Sequence, residues 1–225
     1  LTSYTSPVGL TLSTPPGLIV TDVDSTLIAE EVIEELADYA GTRDEVAAIT
    51  SRAMNGELDF AQSLHHRVAT LAGVPNSVFA QVLESIHPTP GADALIEAVH
   101  RSGGYFGVVS GGFEEVVAPL CARLNIDHYV ANRLEVVDGV LTGRVLGQIV
   151  TSEVKVTKLR EWALAHDVSI EQTVAIGDGA NDVPMLQTAG IGIAFCAKPA
   201  VKEQIPYQLD TRRLDVLIEP LGLVH

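Results

Sequence analysis

The sequence predicts an α/β protein: a doubly wound, Rossmann-like parallel sheet with a small helical cap domain inserted after the first strand. Three observations predict it. Short β-branched apolar runs alternate with helix-period segments over most of the chain, the texture of a parallel sheet covered on both faces. One such run, Gly17–Asp22, is separated from the others by a stretch of about 57 residues, 29–85, that is helix-period throughout. With 47% hydrophobic residues in 225, the chain can fill one large core or a core plus an insertion.

Taken in order, residues 1–16 read as an N-terminal extension or linker, and Thr14-Pro15-Pro16-Gly17 breaks into the buried strand GLIVTD. Residues 29–85 form the cap, with about four helices punctuated at Gly41, Gly56 and Gly73-Val74-Pro75. Residues 17–28 and 86–225 form the core. After His87-Pro88-Thr89-Pro90-Gly91, ADALIEAVHRSGG is a helix closing on glycine, YFGVVS a strand, and FEEVVAPLCARL a helix that Pro119 should kink. Leu134–Arg144 reads as a hairpin around Asp138-Gly139. A helix near Val154–His166, a strand at Thr173–Gly177, a helix from about Ala180 and a strand at Gly190–Phe195 complete the alternation. In such sheets the ligand lies beyond the carboxyl ends of the strands.

Composition excludes some functions. The net charge of −15 disfavours nucleic acid and anionic membranes, which need a positive face. An anionic substrate therefore needs a local basic or metal-lined site. No apolar run approaches the roughly 18 residues of a membrane helix, and the opening LTSYTSPVGLTLSTPPG lacks the pattern of a secretory leader. Cys121 and Cys196 show no disulfide or metal spacing, so a reducing, cytoplasmic setting is expected. Cys196 reads as buried packing.

The predicted strand ends carry the chemistry. The first runs into Asp22-Val23-Asp24-Ser25-Thr26, where one carboxylate can attack phosphorus and another, two residues on, can serve as acid and base. On its own D-x-D-x-T is a modest signal. At Ser110-Gly111-Gly112, a hydroxyl and free amides leading into a helix suit an anion, although a plain N-cap looks the same. At Gly177-Asp178-Gly179-Ala180-Asn181-Asp182, three oxygen-bearing side chains at i, i+3 and i+4 share one face of a starting helix, and such hard donors suit Mg²⁺. Capping explains one of these residues more easily than three. A lysine is needed to offset the carboxylates. Of the four in the chain, Lys155 and Lys158 stand at the start of the helix before this last strand.

In this order the stations resemble the haloacid dehalogenase-like phosphatase superfamily, from Gly17 to about Arg213. The segments DVDSTLIAEE, MNGELDFAQSLHHRV, VVSGGF, ANRLEVVDGVLTG, VAIGDGANDVPML and IAFCAKP are similar to the branch that releases L-serine from O-phospho-L-serine. The resemblance implies Mg²⁺-dependent hydrolysis of that small molecule through an aspartyl-phosphate, the last step of serine biosynthesis. Asp22 would be the nucleophile and a metal ligand. Asp24 would be the general acid and base, with its backbone carbonyl on the metal, and Asp178 would complete the direct ligands. Asp182 would support them from behind. Ser110, Gly111, Lys155 and Asn181 would hold the phosphate, with Lys155 preferred to Lys158 by alignment. In the cap, Glu31 would bind the substrate ammonium and Arg67 its carboxylate, with Met54 and Phe60 lining the pocket.

Periodicity supports one cap residue independently. Phe60, Leu64, Arg67 and Leu71 fall on one helical stripe, which turns a guanidinium toward the apolar side. Glu31 falls on the polar face of its segment, so only the resemblance selects it. His65 and His66 diverge by about 100° around the helix and read as solvated. Two alternatives stand beside this reading: a related phosphatase or phosphotransferase with another small substrate or acceptor, and a phospho-aspartate signalling domain. The second has no use for a cap or for an acid beside the acceptor aspartate.

Overall fold

Leu18–Thr21 (β1) is buried at every position, because the run LIVT is enclosed on both faces. The structure is a computed structural model, and it describes residues 8–54 and 57–223. In it Ile19 points into one hydrophobic cluster, while Leu18 and Val20 point into another. Side chains alternate across a strand, so one short strand separates two apolar layers.

The chain leaves β1 to build four helices, α1 (Val32–Ala40), α2 (Arg43–Met54), α3 (Phe60–Ala69) and α4 (Val78–Ser85). Gly41 ends α1 in the left-handed conformation, and Asp59 with Gln62 forms a reciprocal capping box that starts α3. Then come α5 (Ala92–Arg101), β2 (Tyr105–Phe113), α6 (Glu114–Leu124), β3 (His128–Val137), β4 (Val140–Leu146) and α7 (Ser152–Ala165). The chain continues through β5 (Thr173–Gly177), α8 (Val183–Thr188), β6 (Ile191–Phe195), α9 (Pro199–Lys202) and β7 (Tyr207–Leu209). Among the described residues, none of these helices is long and apolar enough to cross a membrane.

Seven strands form one sheet in the order β4-β3-β2-β1-β5-β6-β7, parallel except for the β3–β4 pair. The chain winds outward from β1 to β4 on one side, then crosses back to β5 and winds outward again. The switch point therefore lies between β1 and β5, where a crevice opens at the carboxyl ends. Val108 and Phe113 face the cluster that includes α5 and α6, and Val109, Ala175 and Ala194 face that of α7 and α8.

Among the described residues, two sets of backbone hydrogen bonds help hold the four inserted helices to the core. The outgoing and returning chains lie antiparallel at Ile28 and Pro88, with Ala29 N donating to His87 O at 3.1 Å and Thr89 N to Leu27 O at 2.7 Å. Farther out, Gly73 N donates to Leu141 O and Leu141 N to Val74 O, each at 2.8 Å, pinning the α3–α4 connection to the β3–β4 hairpin.

Several local expectations need correction. The strand β2 continues through Ser110-Gly111-Gly112 to Phe113, so those residues are the end of a strand and not a helix N-terminus. The helix expected from Ala180 begins at Val183, because the Asp182 side chain folds back onto the preceding turn. The hairpin strand begins at His128, since its first half also pairs in parallel with β2. β7 is three residues long and has no apolar run to announce it. Cys196 is half-buried at the rim of a core cluster, with φ 46°, because the chain turns there after β6. Residues 8–16 are tied to the core: Val8 is buried in it, and Leu12 N donates to Pro220 O at 2.7 Å.

Candidate active site

β1 ends in Asp22, which keeps an extended backbone and is almost buried. Its Oδ1 accepts the Val23 amide at 2.7 Å, which fixes the carboxylate's orientation. Its Oδ2 lies 3.1 Å from Lys155 Nζ. The chain then makes one wide turn, closed by Ile28 N donating to Val23 O at 3.0 Å. Within that turn Asp24 stays extended and Ser25 adopts the left-handed φ of 55°. β1 stops at Thr21, and it is the extended backbone of Asp24 within the turn that directs its carboxylate toward the end of β2. A Cβ on Gly112 would sit 3.3 Å from Asp24 Oδ2 and 3.0 Å from Ser110 Oγ, so a glycine at 112 lets these groups converge. Ser110 Oγ accepts the Gly112 amide at 2.9 Å. Asp24 Oδ1 is buried without a hydrogen-bond partner, an acceptor aimed into the site.

From β5, Asp178 receives a hydrogen bond from Thr26 Oγ1 at 2.9 Å. Asp182 is fully buried, and both of its oxygens are engaged. Its Oδ1 takes Lys155 Nζ at 2.6 Å, while its Oδ2 accepts the amides of Asp178 and Gly179 at 3.2 and 3.0 Å. This back-bonding draws Asp182 against Gly177, where a Cβ would come 2.6 Å from the carboxyl carbon. Asn181, half-buried, lies on the same turn.

Charge dominates the site. Lys155, on α7, is completely buried. Burial works against its ammonium, but the carboxylates of Asp182 and Asp22 outweigh burial and hold its pKa above the usual lysine range. Lys158, one turn on, pairs outside with Glu161 at 2.6 Å, so only Lys155 reaches the strand ends. Burial, reinforced by the negative charge of Asp182, pushes Asp22 well above the ordinary carboxylate range, against the pull of Lys155. Burial and the charge of Glu31 do the same to Asp24. Asp178 is pushed up to about 6, by burial first and then by Asp182. Oxygen atoms of Asp22, Asp178 and Asp182 lie within 4.8 Å of one another. One ammonium cannot neutralise this many carboxylates. Hard oxygen donors in such excess suit a small divalent cation, which Asp22 and Asp178 could hold; Asp182 is fully buried and its two oxygens already accept three hydrogen bonds.

The inserted helices overhang this cluster. The Phe60 ring lies against Gly111, with Cζ 3.3 Å from where a Cβ would stand. Arg67 is partly buried on α3, donates Nε to Ser63 O at 3.3 Å, and forms no ion pair among the described residues. Burial lowers its pKa, while the charges of Glu31 and Asp24 raise it. Glu31 thus acts on both Asp24 and Arg67. Its expected place on a polar helix face is incorrect: it precedes α1 as the N-cap residue, and its Oε1 accepts Ser25 Oγ at 2.6 Å. His65 and His66 are exposed. The side chain of Met54 lies outside the described residues.

Sequence reasoning missed Asn132. It is buried on β3, donates Nδ2 to Gly111 O and accepts the Val150 amide on Oδ1, each at 2.8 Å. It thereby ties the end of β2 to the loop that leads into α7 and Lys155. Asn132 stands just before the expected hairpin, where a polar residue is no signal, and its partners lie 18 and 21 positions away in sequence.

Together the groups offer an oriented carboxylate, a second buried acid, a hydroxyl with strand-end amides and a buried ammonium. That set can transfer a group bearing several negative oxygens. The sequence profile of the haloacid dehalogenase-like hydrolases matches residues 19–187. A phosphoserine phosphatase of Streptococcus thermophilus is 54% identical over 213 residues, spanning 95% of this chain and 99% of that protein. A solved structure described as a phospho-aspartyl intermediate analogue of phosphoserine phosphatase is 41% identical with a TM-score of 0.85, covering 91% of this chain and 98% of the other. A substrate-bound phosphoserine phosphatase complex is 40% identical with a TM-score of 0.84, covering 92% and 98%.

Proposed function

From a chain that belongs to the haloacid dehalogenase-like hydrolase family, we propose a phosphoserine phosphatase that hydrolyses O-phospho-L-serine to L-serine and phosphate. The observation that carries this reading is the pairing of two layers. Asp22 and Asp24 converge with Ser110 at the strand ends, and a carboxylate and a guanidinium, Glu31 and Arg67, stand within electrostatic reach of Asp24. An amino acid phosphate has the complementary parts: phosphoryl group, ammonium and carboxylate. The relatives' names point to the same substrate.

A carboxylate oxygen of Asp22 attacks phosphorus and forms an acyl phosphate as the ester bond to serine breaks. The departing alkoxide takes its proton from Asp24, whose carboxyl burial and the charge of Glu31 hold well above the ordinary range. Asp24, now a carboxylate, removes a proton from the water that attacks the phosphorus. Phosphate leaves and Asp22 is regenerated. Lys155, the Gly111 amide, Ser110 and Asn181 hold the phosphoryl oxygens. Asp22 and Asp178 would hold a divalent cation, which we assign as Mg²⁺, and its positive charge would keep Asp22 ionised and offset those oxygens. The reaction is the final step of serine synthesis, and we place it in the cytoplasm.

Removal of divalent ions by EDTA is expected to abolish phosphate release and added Mg²⁺ to restore it. Ca²⁺ should restore little, because it takes more ligands at looser geometry. Full activity in excess EDTA would refute the metal assignment.

Arg67→Ala tests the substrate. It should lower kcat/KM for phosphoserine by about 10²–10³-fold, roughly 3–4 kcal/mol for a lost buried ionic contact. Turnover of a small aryl phosphate, which has no carboxylate, should hardly change. Phosphoethanolamine, lacking only the carboxyl group, should already be poor for the wild type and lose little more. Equal losses on all three would make Arg67 a structural residue and remove the argument for phosphoserine.

A further inference from the structure

Arg212 lies outside the groups assigned above, just beyond β7 on the far side of the switch point. Its guanidinium carbon stands 5.6 Å from the centroid of the buried Phe195 ring at the end of β6, a cation–π contact that restrains the side chain. From there Nη1 donates to the Ser25 carbonyl at 3.0 Å, across 187 positions of sequence.

Ser25 is an unusual residue to anchor. Its φ of 55° is a conformation that non-glycine residues seldom adopt. That conformation reverses the chain directly after Asp24, brings the Ser25 amide to Glu30 O at 3.1 Å and directs Ser25 Oγ onto Glu31 Oε1 at 2.6 Å. The peptide that follows is the one whose carbonyl Arg212 holds. Rotation of that peptide would change ψ of Ser25, 4° in the structure, and loosen the turn that sets its hydroxyl against Glu31. Thr26, next in the chain, is held separately, since its carbonyl accepts Thr89 Oγ1 at 2.6 Å. Arg212 is therefore the side chain that holds the peptide following the one left-handed residue between Asp24 and Glu31.

We propose that Arg212 is a positioning residue for recognition of the substrate ammonium: it locks the Ser25 peptide, and through the Ser25 hydroxyl it holds Glu31 in the orientation that receives a cation. This rests on the reading that Glu31 faces the ammonium of an amino acid phosphate. It adds a determinant of specificity that comes from the C-terminal segment and touches no substrate.

The test compares phosphoserine with 3-phosphonooxypropanoate, the same ester with hydrogen in place of the ammonium, on wild type, Arg212→Ala and Arg212→Lys. Arg212→Ala should raise KM for phosphoserine about tenfold, the scale of one hydrogen bond to a charged group, with kcat changed less than KM. Its KM for the deaminated ester should stay at the wild-type value. Arg212→Lys, which can still donate to the carbonyl, should recover most of the phosphoserine affinity. A variant that merely loosens the fold would weaken both substrates alike, and that outcome overturns the proposal. So does an unchanged phosphoserine KM in Arg212→Ala while the wild type still prefers phosphoserine. If the wild type shows no preference between the two esters, the assignment of Glu31 fails and the proposal falls with it.

Discussion

Asp22→Asn should reduce phosphate release by at least about 10⁴-fold without destabilising the protein. An amide cannot form the acyl phosphate, so the step that divides the reaction in two is lost. The expected effect on stability is the more diagnostic half. Asp22 is held far above its ordinary range by burial and by Asp182, so its ionised form is a liability in the fold. Replacing it by a neutral isostere relieves that repulsion and leaves Lys155 still paired with Asp182 at 2.6 Å. The unfolding midpoint should therefore hold or rise. Thermal melts and a coupled phosphate assay, on protein checked by mass for deamidation, measure both. Retention of more than a few per cent of activity would remove Asp22 as the nucleophile.

Lys155→Met should fail in the opposite way, losing activity and stability together. The lysine carries no solvent exposure and contacts two carboxylates, at 2.6 and 3.1 Å. Removing one partner of a buried ion cluster leaves the others uncompensated, and the expected cost is roughly 3–5 kcal/mol. Turnover should fall by about 10²–10³-fold, the scale for losing a preorganised positive group beside developing negative charge. Denaturant unfolding gives the first number and steady-state kinetics the second. Lys158→Met provides the contrast: its salt bridge to Glu161 is exposed, so both quantities should stay near wild type. If Lys158→Met is the damaging variant, the phosphate-holding lysine has been misassigned.

The sheet was legible in the sequence because buried strands need apolar β-branched runs, and LIVT, YFGVV and TVAIG are such runs. The short β7 was not, since an edge strand of three residues with a half-buried YQL needs no apolar pattern. The partly buried placement of Arg67 was legible from helix periodicity because it lies within a regular helix. Glu31 was misread because it stands just before α1, where periodicity has no authority and a hydrogen bond from Ser25 sets its direction. The helix start at 180 failed for a related reason. Asp182 spends its side chain on the Asp178 and Gly179 amides and on Lys155, a partner 27 positions away.

What the sequence by itself determined was which residue types end which strands: carboxylates after β1 and β5, a hydroxyl and two glycines at the end of β2. That much follows from local pattern. Only the tertiary structure decided which of them meet and in what electrical state. It buried Lys155 against two carboxylates and left Lys158 half-exposed, joined Asn132 to Gly111 and Val150, and set Arg212 on Ser25. These are contacts between distant positions, made in a medium where water cannot screen them. A group's charge state there depends on neighbours that chain order does not supply.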